Sequence, residues 1–154
     1  MNQLEAFFED IFLKKITFAL PASVREVIVK IAPWLALIAI IFSLPAILGL
    51  LGLGSLFGSM YLYPYGYSLG FQYYLGIIVL IIQVIFMIKA FPGLQKRQMS
   101  GWKYAYYSNL LSAAYGIITS YTFGSVIGAL IGLAIGLYIL FQVKSYYKQV
   151  TPSL

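Results

Sequence analysis

The side chains that could do chemistry in this chain are few, and their spacing argues against catalysis. Nucleophilic catalysis needs a hydroxyl or thiol beside a base, glycoside hydrolysis needs paired carboxylates, and metal-assisted hydrolysis needs a ligand set. The sequence contains no cysteine and no histidine. Disulfides, thiol redox chemistry, Cys/His zinc sites and His-ligated haem are therefore excluded within it. The four acids, Glu5, Glu9, Asp10 and Glu26, all precede Val27, and no carboxylate follows as far as Leu154. The serines and tyrosines beyond that point have no acid or histidine to activate them. The expectation is a non-enzymatic protein with no cofactor and no metal.

The composition says where such a chain is stable. Of 154 residues, 62% are hydrophobic and 9% are charged, against roughly 25% charged in an ordinary soluble domain. That leaves too few charges to form a polar skin over a core. A bilayer removes the need, because lipid solvates outward-facing apolar side chains. The expected fold class is all-α: a polytopic membrane protein of four transmembrane helices, preceded by an N-terminal amphipathic helical segment.

Residues 1–31 read as cytoplasmic or interfacial helices. Leu4, Phe7, Phe8, Ile11, Phe12 and Ile16 recur at helical spacing, with charged residues off that stripe. Pro21 ends the segment. Ser23-Val24-Arg25-Glu26 then fits a capping box, and a second short amphipathic helix is expected with Val24, Val27, Ile28 and Ile31 inward. The segment would lie in the headgroup layer or pack on its own bundle; a docking surface for a partner is the alternative.

Residues 32–148 form the bundle, with spans at about 34–57, 71–90, 104–120 and 124–143; residues 149–154 are a short tail. Each span approaches the length that crosses a ~30 Å hydrocarbon core. Pro45 lies inside the first and should kink it near Ile41. Trp34, Tyr61, Tyr63, Tyr65, Tyr67, Trp102, Tyr146 and Tyr147 are expected as interfacial anchors, with rings at headgroup depth. Phe91-Pro92-Gly93 should turn the chain into a basic loop.

Topology follows from the cations. Lys89, Lys96, Arg97, Lys103, Lys144 and Lys148 flank the ends of spans two, three and four. With the N-terminus inside, four spans return these residues and both termini to the cytoplasm, as the positive-inside rule requires. The expected location is a bacterial inner (plasma) membrane with an anionic inner leaflet as partner. No extended basic face exists to hold a nucleic acid.

Two polar patterns remain. Ser108, Ser112, Gly116, Ser120, Gly124, Gly128, Gly132 and Gly136 repeat every fourth residue. In span four this is a glycine zipper, with Ser125 and Ala129 beside it. Small residues let helix backbones touch in lipid, where little hydrophobic gain drives association, and a four-residue repeat suits crossings near about −40°. The expectation is a hairpin of spans three and four, turning at Tyr121-Thr122-Phe123, with small faces in contact; the alternative lines an oligomer axis or pore. Gln83 and Asn109 are carboxamides deep in the spans. Each lies six residues from a loop lysine, so both sit about 9 Å deep at 1.5 Å per residue. An amide unpaired in hydrocarbon is costly, which predicts a Gln83–Asn109 hydrogen bond. The other reading makes them a polar constriction.

Proton-coupled transport relies on an intramembrane carboxylate or histidine, and none is present. Small multidrug exporters are four-span chains of similar length, but that family depends on a glutamate in its first span. The basic and phenylalanine signatures of fluoride channels are also missing. Three classes survive, in this order: an interaction, accessory or assembly subunit pairing with another membrane protein or its own copies; a homo-oligomeric passive channel or facilitator for ions or small solutes; a lipid-handling or membrane-shaping protein.

Overall fold

A computed structural model describes residues 3–15, 19–48 and 71–148. Among these residues every regular element is helical, and the β-type pairing is an isolated bridge between Gln98 and Lys148. Helix α1, Gln3–Glu9, runs into a π-helical turn, Asp10–Lys15. Then come α2, Ala22–Leu48, α3, Phe71–Gln95, α4, Met99–Ile118, and α5, Phe123–Val143. A 3₁₀ turn, Lys144–Tyr146, follows α5.

Three stretches are long and apolar enough to cross a membrane: Ala22–Pro45, Tyr74–Gln95 and Phe123–Tyr146. Their apolar side chains are mostly uncovered by protein; only 6% of the most apolar window of α3 is buried. A water-soluble protein would bury such faces, so the arrangement is consistent with a membrane protein. The expected span at 104–120 is occupied by α4. With Lys103, Asn109, three serines and four tyrosines, α4 falls short of the same apolar level.

Helix α2 departs from expectation at its start. The second short helix expected from Ser23 is not separate from the first span; one helix of 27 residues runs through both Pro33 and Pro45. In lipid every backbone group must be satisfied within the chain, so a bent helix is less costly than a broken one. Val24, Val27 and Ile31 are exposed, while Val29, Pro33 and Ala36 are buried. The buried stripe keeps helical spacing but faces elsewhere. The physical reason is that in a membrane protein the outward face is also apolar, so hydrophobicity no longer marks the inward side. The expected capping box at Ser23 is not the start either, since α2 begins at Ala22. A reciprocal box forms instead at α5, where the Thr122 side chain accepts from the Ser125 amide and the Ser125 side chain from the Thr122 amide, both at 3.3 Å.

Helix α3 packs most extensively on α4 and then on α2, α4 packs on α5, and α2 touches α5 lightly. Where α3 meets α4, Gly93 and Gly101 bring the two backbones together: a Cβ on either would run into the other's main chain. The core gathers at this end. Trp102 and Tyr106 stack at 5.4 Å, Phe141 meets Trp102 edge-on at 5.4 Å, and Phe12 stacks on Phe141 at 6.1 Å. Phe8 and Ile11 pack against the same cluster, so the N-terminal segment lies on its own bundle.

Candidate functional site

The end of the bundle where α3 turns into α4 collects three separate parts of the chain. Phe91-Pro92-Gly93 does not end α3, which continues to Gln95. The stop is a Schellman motif: the Gln98 amide donates to Gly93 O at 2.7 Å and the Arg97 amide to Leu94 O at 3.2 Å, which satisfies the last carbonyls of the helix. Arg97 occupies the left-handed position, φ 52°, where glycine is the usual residue. Long-range contacts hold it there. Its carbonyl accepts from the Lys148 amide at 2.9 Å, and the Met99 amide donates to Lys148 O at 2.9 Å. Its guanidinium pairs with both carboxylate oxygens of Glu26. That hydrogen bond, then the Glu26 charge, raise the Arg97 pKa above its ordinary value.

A second ionic group lies deeper. The Lys144 ammonium is 3.0 Å from Glu5 and 2.6 Å from Glu9, and it sits over the rings of Trp102 and Phe141 at 5.2 and 5.5 Å. Glu5 is 6% exposed, a degree of burial carboxylates reach only when paired. Beside this group is a cleft of about 330 Å³, whose polar lining comes from Glu9, Arg25, Gln142, Lys144, Ser145 and Tyr147. Met99 and Phe141 form its apolar wall. Burial pushes the Tyr147 phenol up to about 12, with the Arg97 charge opposing.

The carboxamides do not bond to each other. Gln83 donates through Nε2 to the backbone carbonyl of Ser108 at 3.5 Å, and its Oε1 is buried without a partner among the described residues. Asn109 faces α5 instead, with its Cγ 2.8 Å from where a Gly136 Cβ would stand, and its Oδ1 also lacks a partner among them. Gln83 and Asn109 lie at one level, since Gln83 reaches the Ser108 carbonyl, but the helix faces differ: Asn109 lies on the side of α4 that meets α5.

The small-residue ladder is likewise not one contact face. A Cβ on Gly116 would meet Ala129 at 3.2 Å and one on Gly136 would meet Asn109, whereas Gly124, Gly128 and Gly132 have nothing within 4 Å. Ser108 is buried and Ser112 exposed, and Ser120 back-bonds to Gly116 O. Buried on α4 are Gly101, Trp102, Tyr106, Ser108 and Ala113; Trp102, Asn109 and Gly116, which meet α5 at Leu140, Gly136 and Ala129, follow at steps of seven residues. That is the 3.5-residue repeat of a left-handed seam, so contact drifts off a four-residue ladder. Among the expected anchors, Trp102 and Tyr147 are corrected to core residues, 0% and 4% exposed. The Trp102 indole donates to Leu140 O at 2.7 Å, and the Tyr146 hydroxyl to Ala22 O at 3.4 Å. Trp34 is exposed but lies in the interior of α2. Pro45 lies inside α2, as expected. Lys89, Lys96, Lys103 and Lys148 are exposed at the same end, Lys89 lying 5.7 Å from the Tyr104 ring centre. Tyr61, Tyr63, Tyr65 and Tyr67, with the second half of span one, lie outside the described residues.

No family model, curated protein or solved structure matches the chain. The functional reading therefore rests on the residues. Those missed in the sequence are Glu5, Glu9 and Glu26 as partners of Lys144 and Arg97, and Gly93 with Gly101 as the α3–α4 contact. A charge-balance argument held the only available signal: four acids had to find cations among ten.

Proposed function

We propose that this protein is a non-enzymatic integral membrane subunit that assembles with another transmembrane helix, in its own copies or in a partner protein. The observation that supports this is the open face of α5. Gly124, Gly128 and Gly132 are exposed with nothing within 4 Å of a Cβ position, and Ile127, Leu130, Ile131 and Ile135 beside them are exposed too. Glycine in a helix interior costs about 0.5–1 kcal/mol relative to alanine, and Gly128 and Gly132 gain no close contact for it among the described residues. Close approach of a second helix offsets that cost.

The same reading takes α4 as a fourth span. Its 20 residues extend about 30 Å, and it packs against both α3 and α5. Both termini and the loop around Lys96 are then cytoplasmic, and the bilayer is a bacterial inner membrane with an anionic inner leaflet. The N-terminal segment acts as a brace against the bundle.

Size exclusion and cross-linking in mild detergent test the assembly. Gly128→Leu and Gly132→Leu should dissociate the complex yet leave the monomer folded, because no atom of the described residues lies in the way. An unchanged oligomer would mean this face meets only lipid. A passive oligomeric channel is the second reading, favoured by the unpartnered oxygens of Gln83 and Asn109; it requires solute flux in liposomes holding this chain alone, sensitive to Asn109→Leu.

A further inference from the structure

We propose that the cleft between the start of α2 and the end of α5 binds the phosphate headgroup of an anionic phospholipid. The argument begins with Arg25. Its Nε is buried and has no hydrogen-bond partner among the described residues. A guanidinium stays charged at any physiological pH, and a buried donor without an acceptor is unfavourable, so the site calls for an acceptor beyond the described residues. Glu9 lines the same cleft but is engaged 2.6 Å from Lys144, which Glu5 also holds. These two acids balance Lys144 and Arg25 in charge, yet both are turned to Lys144, and the Arg25 Nε–H is left as the donor that still needs an acceptor.

The other groups complete an anion site. Ser145 is exposed and supplies a hydroxyl, and Tyr147 keeps its phenolic proton well above neutral pH. A cleft of about 330 Å³ is at the small end of the ligand-pocket range of about 300–1,000 Å³. Position favours a lipid over free phosphate. Arg25 is three residues past the start of one apolar stretch, Ala22–Pro45, and Lys144 is two before the end of another, Phe123–Tyr146. Both therefore lie at the depth where headgroups sit. Met99 and Phe141 give the cleft an apolar wall, and Val24, Val27 and Ile31 of the helix that carries Arg25 are exposed, a track along which acyl chains can lie.

Native mass spectrometry of the delipidated full chain in an uncharged detergent tests the assignment. Dioleoyl phosphatidylglycerol should be retained in preference to dioleoyl phosphatidylcholine, and Arg25→Gln should reduce that preference by about ten-fold, the loss of one charge-assisted hydrogen bond. Lys96→Gln, an exposed change elsewhere at the same end, should leave it intact. Equal retention of the two lipids by the unaltered protein overturns the proposal without any variant having to fold. So does an Arg25→Gln protein with the full preference. Inorganic phosphate that displaces the lipid at equal concentration would assign the cleft to free phosphate and overturn the lipid reading.

Discussion

Removing the Lys144 ammonium would leave Glu5 buried beside an aromatic cluster with no cation to answer it. Breaking a buried pair is more damaging than never having formed it, at about 3–5 kcal/mol. Lys144→Met should therefore cost about 3 kcal/mol, the low end, because Glu9 is 31% exposed and keeps some water. Limited proteolysis checks this: the variant should be cut within residues 3–15 at protease levels that spare the unaltered chain, and equal resistance would mean hydrophobic contacts alone dock the segment. A second residue gives a pH signature. The Tyr147 phenol, raised to about 12 by burial, ionises in the unfolded chain near pH 10. Its contribution is thus complete below pH 10 and lost as pH rises through about 12. Tyr147→Phe should flatten the loss of melting temperature across that window. Neither role was legible in the sequence. Trp102, Tyr146 and Tyr147 next to lysines look like interface aromatics, and nothing in residue type distinguishes a ring at the headgroups from one covered by α1.

Between elements, the α3–α4 contact depends on Gly93 and Gly101 in a way that side-chain repacking cannot relieve. In Gly101→Ala the new methyl would stand 2.8 Å from Gly93 Cα, and backbone atoms have no rotamers with which to move aside. The expected cost is about 1–3 kcal/mol, read as a lower melting temperature, whereas Gly124→Ala, with open space around it, should melt no lower than the parent. Equal melting of the two variants would mean α3 and α4 are not in backbone contact. Helix existence was largely readable: the spans expected from 104 and 124 compare with helices from 99 and 123. What stayed hidden was which face each helix turns inward. The four-residue glycine period is real in the sequence, yet the α4–α5 seam keeps the 3.5-residue period, and Ala129 rather than Gly128 meets α4.

For the molecule as a whole, the cation-rich end and the Tyr121 end should lie on opposite sides of the bilayer. The chain is free of cysteine, so single cysteines report directly. In intact cells an impermeant maleimide should label Tyr121→Cys and spare Gln95→Cys, both positions being exposed in the structure. Labelling at position 95 from outside would reverse the topology. The distribution of charge is the signal from which such sidedness is expected, because lysines and arginines act on insertion without reference to packing. It is silent on how distant segments meet, because four acids and ten cations allow many pairings. One of those pairings also sets an order of events. Glu9 is joined to Lys144, 135 residues later in the chain. At about 5–20 residues per second of synthesis, the N-terminal segment waits about 7–27 s on the ribosome for its partner to be made. During that interval Phe12 lacks the Phe141 ring on which it stacks, and an apolar surface other than the last helix would have to cover it until that helix arrives.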